Sequence, residues 1–194
     1  MLAGYISGAS VDLAKAKLRD GSVTLQGQAR FVSKQFSDLE SILRLYLKKN
    51  KEELTFACFG VAGPVIDNEV TTTNLPWHIK GTNIEKLFSI NRVKLMNDTV
   101  ATAYGLQELT PNKFFTINNG AKKGEGNIGL ITAGSGLGET IIYAEGNEFH
   151  PYASEGGHAD FAPGNQVECE LWEYLYSELG HVEAVALPVL ELTA

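Results

Sequence analysis

The sequence predicts an α/β protein. Three observations carry this: β-prone runs broken by turn residues over positions 1–33, a helical repeat of apolar residues at 39–47, and a continuous apolar run at 54–61. Met1–Ile6, Val11–Leu18 and Val23–Val32 read as strands, with an Asp20-Gly21 turn joining the last two into a hairpin, so the chain opens on three antiparallel strands. Leu39, Ile42, Leu43, Tyr46 and Leu47 recur at helical spacing after Ser37, a predicted N-cap, and Lys48 and Lys49 close the helix where cations favour its dipole. Leu54–Val61, bounded by Gly60 and Gly63-Pro64, has the unbroken apolar character of a strand covered on both faces. The predicted order is therefore βββαβ.

Arg92–Met96 reads as a further strand running into Asn97-Asp98, and Thr99–Leu109 as an Ala-containing helix. A polar pair between a strand's carboxyl end and a helix start is where open α/β sheets place ligand chemistry. Phe114–Ile117, Ile128–Thr132 and Thr140–Ala144 are predicted strands around a Gly-rich turn, and Glu168–Leu179 a final helix. We place the domain boundary near residue 110, giving regions 1–110 and 111–194.

With 44% hydrophobic and 20% charged residues, the 194-residue chain can bury one large core or two small ones. Sixteen Lys and Arg against twenty-three Asp and Glu give a net charge of -7, which disfavours nucleic acid and anionic membrane as partners. Two cysteines, Cys58 and Cys169, are too few for a disulfide scaffold. The apolar stretch 54–66 is too short and too Gly-rich to cross a bilayer, and the N-terminus lacks a secretory pattern. A soluble cytoplasmic protein is the expectation.

Several motifs carry candidate chemistry. Gly124-Glu125-Gly126-Asn127-Ile128-Gly129 has G-x-G-x-x-G spacing but precedes an apolar run instead of opening a helix, which argues against dinucleotide binding; no P-loop pattern occurs. Gly134-Ser135-Gly136-Leu137-Gly138 lies between predicted strands and could converge backbone N–H groups on an anion, the alternative being a plain hairpin. Glu155-Gly156-Gly157-His158-Ala159-Asp160-Phe161 is either a polar turn or a site. A zinc site from His150, Glu155 and His158 lacks supporting cysteine pairs, so no metal ligand is assigned. Asp98 could cap the helix after it, and in that position it is also suited to accept a proton from a hydroxyl.

In order along the chain, Leu2-Ala3-Gly4, Gly60-Val61-Ala62-Gly63-Pro64-Val65, Thr73-Asn74-Leu75-Pro76-Trp77, Met96-Asn97-Asp98-Thr99-Val100-Ala101, Ala133–Gly138, Glu155–Pro163 and Leu179-Gly180-His181-Val182-Glu183-Ala184 together resemble the bacterial glucokinase family. The related repressor and sugar-kinase family carries a cysteine-rich zinc motif that this sequence lacks. The resemblance implies a ribonuclease-H-like, actin-like ATPase fold with a mixed sheet, flanking helices and a partial second domain. It also implies ATP-dependent phosphorylation of glucose, or a similar hexose, at the 6-hydroxyl. Asp98 would be the base, and Asn97, Asp98, Glu155 and His158 the sugar ligands. Gly8, Gly134, Ser135, Gly136 and Gly138 would receive ATP, with Mg2+ as its companion.

The sequence departs from that family at three places. The family's opening D-x-G-G-T reads Tyr5-Ile6-Ser7-Gly8-Ala9, which removes a metal-facing carboxylate; Val185 stands where the family has a sugar-binding glutamate; and the tail 186–194 does not match the family's longer continuation. Impaired transfer is expected, the alternative being a non-catalytic hexose-binding or interaction protein, or a remnant. The apolar tail residues Leu187, Val189, Leu190 and Leu192 predict self-association, with a homodimer as the form that covers them.

Overall fold

The computed structural model describes residues 1–20, 22–49, 54–72, 74–118, 126–133, 136–146 and 148–183. Contacts divide the chain into two compact units, Met1–Gly105 and a second from Leu106 onward.

The first unit is built on β1 (Leu2–Ile6), β2 (Ser10–Arg19), β3 (Ser22–Val32), α1 (Leu39–Lys49), β4 (Phe56–Val61), β5 (Glu69–Thr71), β6 (His78–Lys80), α2 (Gly81–Phe88), β7 (Arg92–Asn97) and α3 (Asp98–Gln107). Five strands form one sheet in the order β3-β2-β1-β4-β7. The pairs β1–β2 and β2–β3 are antiparallel, whereas β1–β4 and β4–β7 are parallel, so the sheet is mixed. β5 and β6 form a separate two-stranded ribbon. The predicted βββαβ opening is present.

Alternation along these strands sends Leu2, Ile6, Val11, Leu13 and Phe59 to one face, where they join Leu39, Ile42, Leu43 and Tyr46 of α1 and Ile84 of α2 in a single buried cluster. The Tyr46 hydroxyl, otherwise a buried polar cost, donates to the Gly27 carbonyl at 2.8 Å. On the opposite face α3 comes so close at Gly60 that a Cβ there would meet the Ala101 methyl. The glycine in this strand is therefore a requirement of helix-to-sheet packing.

Some expectations need correction. The N-cap of α1 is Asp38, not Ser37: its Oδ1 accepts from the Ser41 N–H at 2.7 Å, while the Ser37 hydroxyl donates to Asp38 Oδ2. β4 is half-covered at Phe56 and Cys58 instead of buried on both sides. Phe114–Ile117 is not a strand. It follows a short 3-10 turn at Pro111–Lys113, and Phe115 and Ile117 are 89% and 92% exposed; β propensity without a sheet edge to pair with leaves irregular chain.

The second unit holds an antiparallel sheet of β8 (Ile128–Ala133), β9 (Leu137–Glu145) and β10 (Glu148–Ser154), in the order β10-β9-β8, and then α4 (Gln166–Leu179). β10 escaped the sequence reading because Pro151 interrupts it. As an edge strand it tolerates that proline, which sits opposite Ile142. α4 starts two residues earlier than predicted, capped by Asn165, whose Oδ1 accepts from the Glu168 N–H at 3.0 Å. It ends at Gly180 in the left-handed conformation, φ 71°.

Candidate functional site

In the first unit the chemistry gathers where β1, β4 and β7 end and α3 begins. Parallel pairing sets Tyr5 beside Gly60 and Val61 beside Asn97, so three motifs distant in sequence reach the sheet's carboxyl edge together. Asn97 is the true cap of α3: its Oδ1 accepts from the N–H groups of Thr99 at 2.9 Å and Val100 at 3.3 Å, and from the Thr99 hydroxyl at 2.7 Å. Its Nδ2 donates to the Gly63 carbonyl at 3.2 Å, tying the helix start to the Gly60–Pro64 turn. This division of labour corrects the expectation that Asp98 caps α3. Asp98 Oδ1 also accepts from the Thr99 N–H, at 2.9 Å, while its Oδ2 is bonded outside the helix.

That second oxygen meets Tyr5. The Tyr5 hydroxyl donates to Asp98 Oδ2 at 3.4 Å. Burial first, and then the Asp98 charge, push the phenol's pKa up, so Tyr5 remains a neutral donor. Across the strand pair from Tyr5 lies Asp12, which takes two hydrogen bonds from Arg30, at 2.6 and 3.1 Å. A cleft of about 700 Å³ runs beside them, lined by Tyr5, Asp12, Gln28, Arg30, Ala101 and Thr102 among others. At Gly8, a predicted phosphate contact, an added Cβ would run into the Cβ of Asn74, so the missing side chain makes room for that residue.

In the second unit Gly136 and Gly138 belong to the β8–β9 hairpin, with Gly138 opposite Thr132; Gly134 and Ser135 lie outside the described residues. The strands on either side of the Gly-rich turn are antiparallel neighbours, the arrangement of the hairpin alternative. Glu155 precedes a 3-10 turn, Gly156–His158, packed on β9 so tightly that a Cβ on Gly157 would run into the Leu137 carbonyl. His158 is carried by this turn with its side chain 59% exposed.

Two residues without a predicted role complete this cluster. Glu183 Oε2 lies 2.7 Å from His158 Nδ1, and Oε1 lies 2.9 Å from His181 Nε2. Glu155 Oε2 is 3.9 Å from His158 Nε2. The hydrogen bond to Glu183 raises the His158 pKa, and the same contact lowers that of Glu183. The sequence signal was a His-x-Glu triplet placed just after a helix; only the backbone path brings it back to His158. Among the described residues no group of three His, Cys, Asp or Glu side chains is arranged to hold a metal ion, and no helix is long and apolar enough to cross a membrane. Both cysteines are free thiols.

A mixed five-stranded sheet with the polar pair at the end of its last strand, flanked by helices, is the architecture of the actin-like ATPase class. The structure of a glucokinase from an Antarctic psychrotroph matches 95% of this chain and 59% of its own length, with a TM-score of 0.75 and 26% identity. A glucokinase from Balamuthia mandrillaris, solved in complex with glucose, shares the fold at a TM-score of 0.69 and 18% identity, over 95% of this chain and 57% of its own. The glucokinase of Nostoc punctiforme is 36% identical over 178 residues, 90% of this chain and 52% of its own length. The family model for glucokinase matches residues 2–187, and the chain belongs to the glucokinase family. It spans about half the length of the curated relatives it matches.

Proposed function

We propose that the chain is a glucokinase-like, hexose-binding protein, laid out for ATP-dependent phosphorylation of glucose at its 6-hydroxyl but impaired in the transfer step. The observation that carries the reading is the Asn97-Asp98 corner, where Asn97 caps the helix start and Asp98 Oδ2 is bonded to Tyr5 rather than to the helix. A carboxylate oxygen not used by the helix, at a strand-to-helix junction, can accept the proton of a sugar hydroxyl. The second N–H of Asn97 Nδ2 can be offered to a sugar oxygen. Glu155 and His158 of the second unit would, by family resemblance, serve hexose hydroxyls as acceptors and donors. By family resemblance, backbone N–H groups at Gly134, Ser135, Gly136 and Gly138, with Gly8, would receive ATP phosphates.

The residues of the first motif do not fit a magnesium–phosphate group. Mg2+ takes anionic or carbonyl oxygens, and the family's carboxylate position holds Tyr5, a neutral phenol with a raised pKa. Asp12 is already committed to Arg30. Losing one such charge-stabilising contact costs about 10²–10³ in rate. The Tyr5–Asp98 contact therefore favours a second reading, a hexose-binding protein that does not turn over.

A coupled assay for glucose-dependent ADP formation separates the two readings. Calorimetric titration with glucose tests what they share: Asp98→Ala and His158→Ala should each weaken binding, and unchanged affinity in both would remove the assignment. We place the protein in the cytoplasm and expect a homodimer. The tail 187–192 invoked for self-association lies outside the described residues, and sedimentation at low micromolar concentration tests the assembly; a monomer overturns it.

A further inference from the structure

The Glu183 carboxylate serves two imidazoles at once, through Oε2 to His158 Nδ1 at 2.7 Å and Oε1 to His181 Nε2 at 2.9 Å. Its backbone is anchored. Asp160 and Glu183 form an isolated β-bridge, the Phe161 N–H donates to the Val182 carbonyl at 3.0 Å, and Val182 is buried. The segment that carries Glu183 is thus stitched to the chain leaving the Gly156–His158 turn. Charged groups approach the His158 ring from two sides: Glu183 at Nδ1, with His181 behind it, and Glu155 at 3.9 Å from Nε2. Glu139 of β9 packs under the turn at Gly156.

We propose that Glu183 is the positioning residue for His158: by accepting the Nδ1 proton it fixes the ring's plane and tautomer and presents Nε2 to a hydroxyl of the bound hexose. This rests on the hexose-binding reading above. An exposed imidazole without such a partner divides itself between two tautomers and several ring orientations, so a sugar that needs Nε2 must first select among them. With Nδ1–H engaged, a neutral ring always offers Nε2 as an acceptor, and a protonated ring offers Nε2–H as a donor. The carboxylate that the family pattern places at position 185 thus returns at 183 in an indirect role, acting through the histidine.

The chain carries its own test, because Glu183→Gln and Glu183→Ala remove different things. Gln keeps a carbonyl acceptor for Nδ1–H but no charge, while Ala removes both. Nitrogen-resolved NMR of the imidazoles across pH, with glucose titration by calorimetry, reads each effect in the full chain. In the unsubstituted chain His158 should titrate above the ordinary histidine value and, when neutral, carry its proton on Nδ1. Glu183→Gln should lower the midpoint, keep the Nδ1–H tautomer and keep glucose affinity above that midpoint. Glu183→Ala should lower the midpoint, mix the tautomers and weaken glucose about fivefold, the size of one ordinary hydrogen bond. An unchanged midpoint with Gln, or an unchanged tautomer with Ala, overturns the positioning role; the Gln arm stands even if the Ala variant does not fold. If the NMR behaves as expected but the unsubstituted chain binds no glucose, Glu183 does position His158 and it is the hexose reading that falls.

Discussion

At the end of β1, Tyr5 stands where the glucokinase pattern has a carboxylate, and the nearest acid across the strand pair, Asp12, is already held by Arg30. In the sequence, Val185 stands where the family pattern has a glutamate, yet at the Gly156–His158 turn Glu183 brings a carboxylate onto His158. Both are losses of charge when read along the sequence. Among the described residues no free carboxylate replaces the first, and on the reading proposed above Glu183 partly makes good the second, because a turn with a β-bridge beside it can recruit an acid from a neighbouring position, whereas a strand residue is fixed in register. A motif departure therefore has to be weighed by what surrounds the vacated chemistry.

The largest expected effect breaks the comparison at its uncompensated end. Glucose-dependent ADP formation should be at least ~10³-fold below that of an intact relative, since one lost contact of this kind costs 10²–10³ and the mismatched motif also includes Ser7 and Ala9. Tyr5→Asp with Ser7→Gly and Ala9→Thr should recover phosphate binding in part, measured by nucleotide titration. Near-normal turnover by the chain as it stands would show that another residue replaces the missing carboxylate.

Next in size is the scaffold of the compensated region. Gly157→Ala places a methyl against the Leu137 carbonyl, which belongs to a strand and cannot move aside cheaply. A loss of about 1–3 kcal/mol is expected, as for other overpacked sites, read from the denaturant midpoint. His158 should lose its raised pKa in the same variant if the turn shifts away from Glu183. Stability unchanged within error would mean that the turn is more loosely seated than its contacts with β9 indicate.

A smaller effect comes from Tyr5→Phe, which keeps the ring and deletes the donor to Asp98. The contact is long, at 3.4 Å, and Tyr5 is 42% exposed, so stability should change by less than about 1 kcal/mol. Glucose affinity should rise by a few-fold if the phenol competes with the sugar hydroxyl for Oδ2, and calorimetry decides the sign. Weaker binding would instead make Tyr5 a helper that orients Asp98.

Much of this is legible in the sequence. The antiparallel opening, the amphipathic α1, β4 and the strand-to-helix corner at Asn97-Asp98 follow from alternation, helical spacing and turn residues, which are local signals. What was not legible depends on long-range pairing. Phe114–Ile117 has strand-like residues but no sheet edge, and Glu148–Ser154 has a proline that an edge strand accepts. α2 opens on Gly81 with no side-chain cap to announce it. At the candidate site, the sequence singles out Asp98 and His158 but not the residues they hydrogen-bond. Tyr5 is 93 residues from Asp98 and Glu183 is 25 from His158, and only β1–β4–β7 pairing and the Asp160–Glu183 bridge close those distances.

The smallest effect sharpens the compensated end through pH. His158 has its pKa raised by the hydrogen bond to Glu183, so its contribution to stability is fully present below the unfolded value of about 6.5 and is lost as pH rises through the folded value. Glu183 has its pKa lowered by the same bond, so its contribution is present above the unfolded value of about 4.3 and is lost as pH falls through the folded value. The two conditions overlap in a window bounded below by the depressed Glu183 value and above by the raised His158 value. Within it the stability difference between the unsubstituted chain and Glu183→Gln should be greatest, shrinking toward zero on either side. Because the His158 side chain is 59% exposed and that of Glu183 is 27% exposed, added salt should flatten the difference further. Denaturation midpoints measured from about pH 3 to pH 9 at low and high salt would trace this curve. A difference that grows steadily toward either extreme of pH would mean that the His158–Glu183 pair is not its source.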